Sequence, residues 1–321
     1  MKQPAYHLRQ NKAVDRLTLI EAIKHVGKLN DLSEYTYYGF GGWTLEDFRL
    51  IYEFYPEISM ISIENDRDNY NRQRFHTPCR SARLKLEYVE FKSFLARYEA
   101  KNSKSIFWLD YIDLKYARFE EFMVLLGKVF PGSVVKITLR CEPSDYFAKE
   151  ETQGAQKTDE FQREFQELLP HSSDQPPVAF TDLAKLVQDM AQIATERALS
   201  SATPLKFIPI SSFCYADGAG MFTLTGVVCF RTQETLIKNT FQKWRLANLE
   251  WNNPRVIDVP TLSTKERLHL QRCLPAGSNA GRVLRKSLGY LIDSDERSSE
   301  AKLQQYADFH RYFPYFVKAT P

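Results

Sequence analysis

The chain is poor in the residues that most often announce chemistry. It has five cysteines, Cys79, Cys141, Cys214, Cys229 and Cys273, at wide spacings and with no C-x-x-C pair. That argues against a disulfide framework or a cysteine zinc site. Six histidines, His7, His25, His76, His171, His269 and His310, are scattered without metal-ligand spacing, and no H-E-x-x-H occurs, which removes the zincin class. There is no G-x-S-x-G elbow for a serine hydrolase and no Walker loop. No apolar run approaches the ~20 residues that span a bilayer, and the first residues, Met1 to His7, hold no apolar signal core. A cytoplasmic protein with no membrane partner is therefore expected. Charge of one sign is also lacking. The net charge of +3 is mild and does not by itself indicate nucleic acid. Arg67, Arg72, Arg74, Arg80, Arg83 and Lys85 would make a local positive patch or the solvated face of a helix beside a sheet.

What is present is a rhythm of short apolar strands and amphipathic helices over 321 residues, 13% of them aromatic. Residues 15 to 29 read as a helix capped by Asp15, with Leu19, Ile20, Ile23 and Val26 at helical spacing. Strands are expected at 35–40, 58–63, 83–89, 105–109 and 134–139. Helices are expected between them, the second capped by Thr44 and stopped by Pro56. This β-α alternation implies a mainly parallel sheet with crossover helices. Residues 144–178 read as an insertion or lid with a short helix at 161–168, and 181–199 as a strong helix. Two β-rich runs, 205–215 and 221–230, flank Ala216 to Gly220, a hairpin connection. Residues 233–321 are expected to be a helical appendage, with Ser263 and Glu266 forming a capping box. The domain boundaries expected are thus 1–232 and 233–321.

Three features fall where such a sheet binds ligands. Gly39-Phe40-Gly41-Gly42 lies where the first strand turns into a helix, and glycine permits close backbone approach. Glu64, followed by Asn65, ends the second strand 22 residues after Gly42. A carboxylate there can accept hydrogen bonds from both ribose hydroxyls of a nucleoside. Asp110, Tyr111 and Asp113 end the fourth strand. Either aspartate is suited to act as general base or to hold a divalent metal, Asp113 alternatively to cap the next helix, and Tyr111 to shape a pocket.

The runs Tyr37-Tyr38-Gly39-Phe40-Gly41-Gly42, Ile61 to Glu64 and Phe107 to Asp113 resemble motifs I, II and IV of class I S-adenosylmethionine-dependent methyltransferases. The resemblance covers roughly 15–230 and extends to the late hairpin, because the sixth and seventh strands of that fold form an antiparallel pair. It implies a Rossmann-like, seven-stranded α/β sheet binding S-adenosylmethionine. Gly39, Gly41 and Gly42 would line the methionine and ribose part of the cofactor, with Phe40 and Asn65 beside them, Glu64 would hold the ribose hydroxyls, and Asp110 would sit at the mouth of the fourth strand beside the transferred methyl. No metal is implied. One position departs from the pattern: Tyr37 stands where the family usually has an acid. The expected reaction is methyl transfer to an unidentified acceptor. The rival reading is a degenerate fold serving as an interaction or effector module in a larger complex, and a further one is a nucleotide-binding enzyme using NAD or another nucleoside. The aromatic run Tyr306 to Phe316 would dock on the body of the protein, or meet a protein partner or nucleic-acid bases.

Overall fold

A computed structural model describes residues 9–77, 83–147, 151–170, 177 and 179–313, the side chains of 151–156 excepted. Its centre is a sheet of eight strands: β1 (Tyr35–Gly39), β2 (Ser59–Glu64), β3 (Leu84–Tyr88), β4 (Lys104–Asp110), β5 (Ser133–Arg140), β6 (Leu205–Ala216), β7 (Gly220–Phe230) and β8 (Arg255–Ile257). The order is β3-β2-β1-β4-β5-β7-β6-β8. Strands β1 to β5 are parallel, and β7 runs antiparallel to β5. The late antiparallel strands expected from the hairpin are there. The strand count is eight rather than seven, because three-residue β8 is too short to show as a pattern in the sequence.

The crossovers are α2 (Glu46–Phe54), α3 (Arg67–His76), α4 (Phe91–Arg97) and α5 (Tyr116–Lys128), followed after β5 by α6 (Pro143–Tyr146), α7 (Glu151–Phe165) and α8 (Phe180–Ala198). The central strands carry the apolar runs that burial on both faces demands. Ile106 to Leu109 and most of β5 are buried. Phe122 of α5 meets Phe207 of β6 edge-on, and Phe119 meets Phe165 of α7 in the same way.

The chain divides into two compact units. The larger holds Leu19–Cys214 and Ala219–Arg255; the smaller holds Met1–Thr18, Tyr215–Gly218 and Val256–Pro321. The first helix, α1, spans Gln10–Val26. It starts five residues before Asp15, so Asp15 is a buried interior residue and not its cap.

In the smaller unit the Asp217 carboxylate accepts the backbone N–H groups of Asn11 (3.2 Å) and Lys12 (2.7 Å), so this turn residue also ties down a helix end. After α9 (Glu234–Phe241) of the larger unit, the expected capping box opens α10 (Thr264–Gln271). Tyr306, Phe309 and Phe313 are buried within this unit, whereas residues 314–316 of the aromatic run lie outside the described residues. Helices α11 (Ala280–Leu288) and α12 (Glu296–Phe309) meet at Gly281. A Cβ there would collide with the Glu300 carbonyl oxygen, which is backbone and cannot swing aside. Gly281→Ala is expected to destabilise the protein by about 3 kcal/mol. Denaturant unfolding would show it, and an unchanged midpoint would refute the close crossing.

Candidate functional site

Strand order fixes where the site is. From β1 the chain goes to β2 on one side, and β4 lies on the other. The sheet therefore reverses direction at β1/β4, and ligands of open α/β sheets bind outside the strand ends at such a switch point. Register then sets the height of each residue. Gly39 pairs with Ser62 of β2 and with Trp108 of β4. Glu64 and Asp110 each lie two residues further on. The glycine turn is thus flanked by one carboxylate on each neighbouring strand, all at the carboxyl edge.

Gly41 and Gly42 take left-handed conformations, with φ of 70° and 53°. A Cβ on Gly41 would lie 2.8 Å from both Leu45 and Phe48, whereas one on Gly42 would meet open space. The turn is packed from below and bare on top. Gly39 is required by its neighbour, since a Cβ would sit 2.9 Å from the Tyr37 hydroxyl. Tyr37 itself is fully buried, edge-on to Phe48 at 5.0 Å. The phenol in the family's acidic position is a core side chain that fills the space beside Gly39. Thr44 does not cap the next helix. Left-handed Leu45 (φ 57°) precedes α2 without a side-chain cap, and the first turn carries Glu46 and Asp47.

Glu64 is buried, and burial raises its carboxyl above the usual range against the opposing backbone N–H groups of Asp66 and Asn65. Oε1 accepts from Asp66 N at 2.9 Å. Oε2 lies 3.4 Å from Gln73 Nε2, a contact longer than the usual N–H···O range. Asn65 is exposed beside it. Gln73 is the residue that sequence reasoning missed. Fully buried on α3, it donates from Nε2 to the carbonyls of Phe40 (3.0 Å) and Gly42 (2.8 Å) and accepts the Ser62 hydroxyl at 2.9 Å. One amide therefore locks the glycine turn to β2. Gln73 lies among exposed polar residues of a polar helix, so no periodic signal marks it.

On the other flank the three predicted residues separate. Asp110 is half-buried at the end of β4. Tyr111 is buried, 5.4 Å from the Phe40 ring, which also meets Phe91 at 5.4 Å. Its hydroxyl donates to Glu121 Oε2 at 2.6 Å. Burial and that carboxylate hold the phenol far above its ordinary pKa, so Tyr111 keeps its proton and packs against Phe40. Asp113 does not cap α5, whose N-cap is Lys115. Instead it receives Arg118 Nε (2.8 Å) and Nη2 (3.1 Å), with Lys115 Nζ at 3.3 Å. Burial pushes its pKa up, but the hydrogen bonds and charges of Arg118 and Lys115 outweigh that and leave it lowered. Arg118 and Glu121 were not foreseen from the sequence. Among the described residues no cluster of three or more His, Cys, Asp or Glu side chains is placed to hold a metal, and no helix is long and apolar enough to cross a membrane.

A glycine turn between two carboxylates at the switch point, with antiparallel β7 beside β5, defines a class I, S-adenosylmethionine-dependent methyltransferase fold. The chain belongs to the family described as "Putative O-methyltransferase", whose profile matches residues 4–321. No curated protein sequence matches it. Among solved structures it is similar to Trm1 from Pyrococcus horikoshii in complex with S-adenosyl-L-methionine, at 9% identity and a TM-score of 0.45 over 68% of this chain and 55% of that one. It is also similar to a probable spermidine synthase from Corynebacterium glutamicum, at 12% identity and 0.41, over 78% of this chain and 82% of that one. A third is an O-methyltransferase family protein from Burkholderia thailandensis, at 13% identity and 0.33, over 69% of this chain and 59% of that one. The chain spans little more than half the length of the first and third of these.

Proposed function

We propose that the protein transfers a methyl group from S-adenosylmethionine to a hydroxyl oxygen of its acceptor, in the crevice bounded by Glu64, the glycine turn and Asp110. The observation that carries this reading is the register: Gly39 is level with Ser62 and Trp108, so Glu64 and Asp110 flank the turn from its two neighbouring strands. The residues suit the cofactor. The bare upper side of Gly42 admits close approach of a ligand to the backbone, and the Glu64 carboxylate at the end of β2 supplies acceptor oxygens for a ribose diol. Phe40 and exposed Asn65 border the same edge.

The first turn of α2 separates this cofactor from NAD. A pyrophosphate seeks a helix N-terminus for its free N–H groups and dipole. Here Glu46 and Asp47 occupy that turn and repel it. S-adenosylmethionine carries no phosphate. When bound, it supplies a methyl carbon on a sulfonium whose bond pair stays with sulfur as the acceptor oxygen's lone pair forms the new O–C bond. The chain's part is to orient the two partners and take the hydroxyl proton. Asp110 is our candidate for that proton by its position, at the end of β4 on the carboxyl edge beside the glycine turn. We assign the chemistry to residues 1–232.

Calorimetric titration of the full chain tests the reading. S-adenosylmethionine and S-adenosylhomocysteine are expected to bind and NAD is not. Binding of NAD alone would overturn it.

A further inference from the structure

Helix α3 has an outer face with no task in the site just described. Its inner residue, Gln73, holds the glycine turn, while Arg67, Asp68, Asn71, Arg72, Arg74 and Phe75 are exposed, three cations to one anion. Among the described residues none of its three guanidinium groups has a carboxylate partner. Two lie over aromatic rings instead: Arg72 is 3.6 Å from the Trp43 centroid and Arg67 is 5.9 Å from that of Tyr88. Phe75 is 86% exposed, an extreme for a phenylalanine on a helix. Its ring meets His76 edge-on at 5.2 Å, and His76 meets Trp43 at 5.3 Å. Trp43 directly follows Gly42. A chain of rings therefore runs from the exposed end of α3 to the glycine turn, with unpaired positive charge along it. Arg49 holds the end of this path in place by donating to the carbonyls of Thr44 (3.1 Å) and His76 (3.0 Å).

Unpaired arginines next to a bare aromatic face are complementary to a polyanion that also offers flat apolar rings. Single-stranded nucleic acid is that partner: phosphates meet the guanidinium groups and unpaired bases stack on exposed rings. A duplex hides its base faces. An acidic polypeptide would satisfy the charges but leave Phe75 without a stacking partner. Resting on the proposed oxygen methylation, the choice narrows to RNA, because its ribose 2′-hydroxyl is an oxygen acceptor that DNA lacks. We propose that the outer face of α3 docks single-stranded RNA and leads a ribose hydroxyl to the crevice beside Asp110. The transfer is the one written above, with the 2′-oxygen forming the new bond and its proton passing to Asp110.

The test is fluorescence anisotropy of the full chain with a labelled single-stranded RNA of about a dozen nucleotides. Methyl incorporation from labelled S-adenosylmethionine into the same RNA is measured in parallel. Arg72→Ala with Arg74→Ala is expected to weaken RNA binding by about tenfold or more and to flatten its salt dependence by about two phosphate contacts. Phe75→Ala is expected to weaken it by about tenfold with the salt slope unchanged. Both variants should bind S-adenosylmethionine as the parent does, which verifies their folding. Label should enter the RNA and not its 2′-O-methylated counterpart. Three results would each overturn the inference: RNA affinity indifferent to these substitutions, polyglutamate binding as tightly as RNA, or label absent from RNA while the cofactor binds. Failure to bind the cofactor at all would instead count against the proposed function.

Discussion

Asp110→Asn is expected to lower methyl transfer by about 10²–10⁴-fold, the usual share of a general base, with S-adenosylmethionine affinity changed little. Position places Asp110 in this role: it ends β4 two residues beyond Trp108, which is level with Gly39, and its neighbours Tyr111 and Asp113 have structural roles of their own. Tyr111 has its proton fixed on Glu121, and its phenol stays neutral through the physiological range. Asp113 is ionised but held in a fork by Arg118, with Lys115 beside it. A carboxylate whose pKa is lowered in this way is a poor proton acceptor. Asp113→Asn should therefore show itself in stability and not in turnover, at about 1 kcal/mol for a pair partly open to solvent. The sign of its pH dependence is set by the lowered pKa. The stabilisation is present above the ordinary aspartate range and is lost as pH falls through the lowered value. Single-turnover transfer of labelled methyl, with thermal unfolding of each variant across pH, separates the two roles. Equal loss of turnover in both variants would refute the assignment to Asp110.

That assignment needed the structure, and the reason is physical. Alternation of apolar strands with amphipathic helices is a local property, so the parallel sheet, the hairpin strands and the glycine turn were legible from the chain alone. Not every helix start was. Thr44 has the chemistry of a cap, yet Leu45 enters the left-handed region and is fully buried beside Gly41, which delays the helix to Glu46. Asp113 has it too, but Arg118 offers two charged hydrogen bonds, worth more than one backbone N–H. Gln73 reaches carbonyls 33 and 31 residues away, a distance over which a single sequence carries no signal. Burial decides Tyr37. In the sequence it is a departure from the acidic pattern; in the structure it is a core ring that makes glycine necessary at position 39.

Glu64 is the position at which stability and ligand binding pull apart. With Glu64→Ala, affinity for S-adenosylmethionine should fall by at least about 100-fold, since two hydroxyls donating to a carboxylate are worth about 1.5–3 kcal/mol each. Glu64→Gln keeps one acceptor oxygen without the charge and should lose roughly tenfold. The unliganded fold should respond the other way. Burial raises the Glu64 pKa, so the folded protein holds that proton more tightly than the unfolded chain does. The resulting contribution to stability is present below the ordinary glutamate range and is lost as pH rises through the raised value. Near neutral pH the ionised carboxylate is thus a liability to the empty fold, and Glu64→Gln should melt at or above the parent temperature. In acid the difference should vanish. Cofactor affinity of the parent should weaken as pH drops through the same raised value, because the diol needs the anion. Calorimetry across pH with S-adenosylhomocysteine, paired with melts of the ligand-free proteins, reads both effects. A Glu64→Gln protein that binds as tightly as the parent, or that melts well below it near neutral pH, would remove Glu64 from the ribose site.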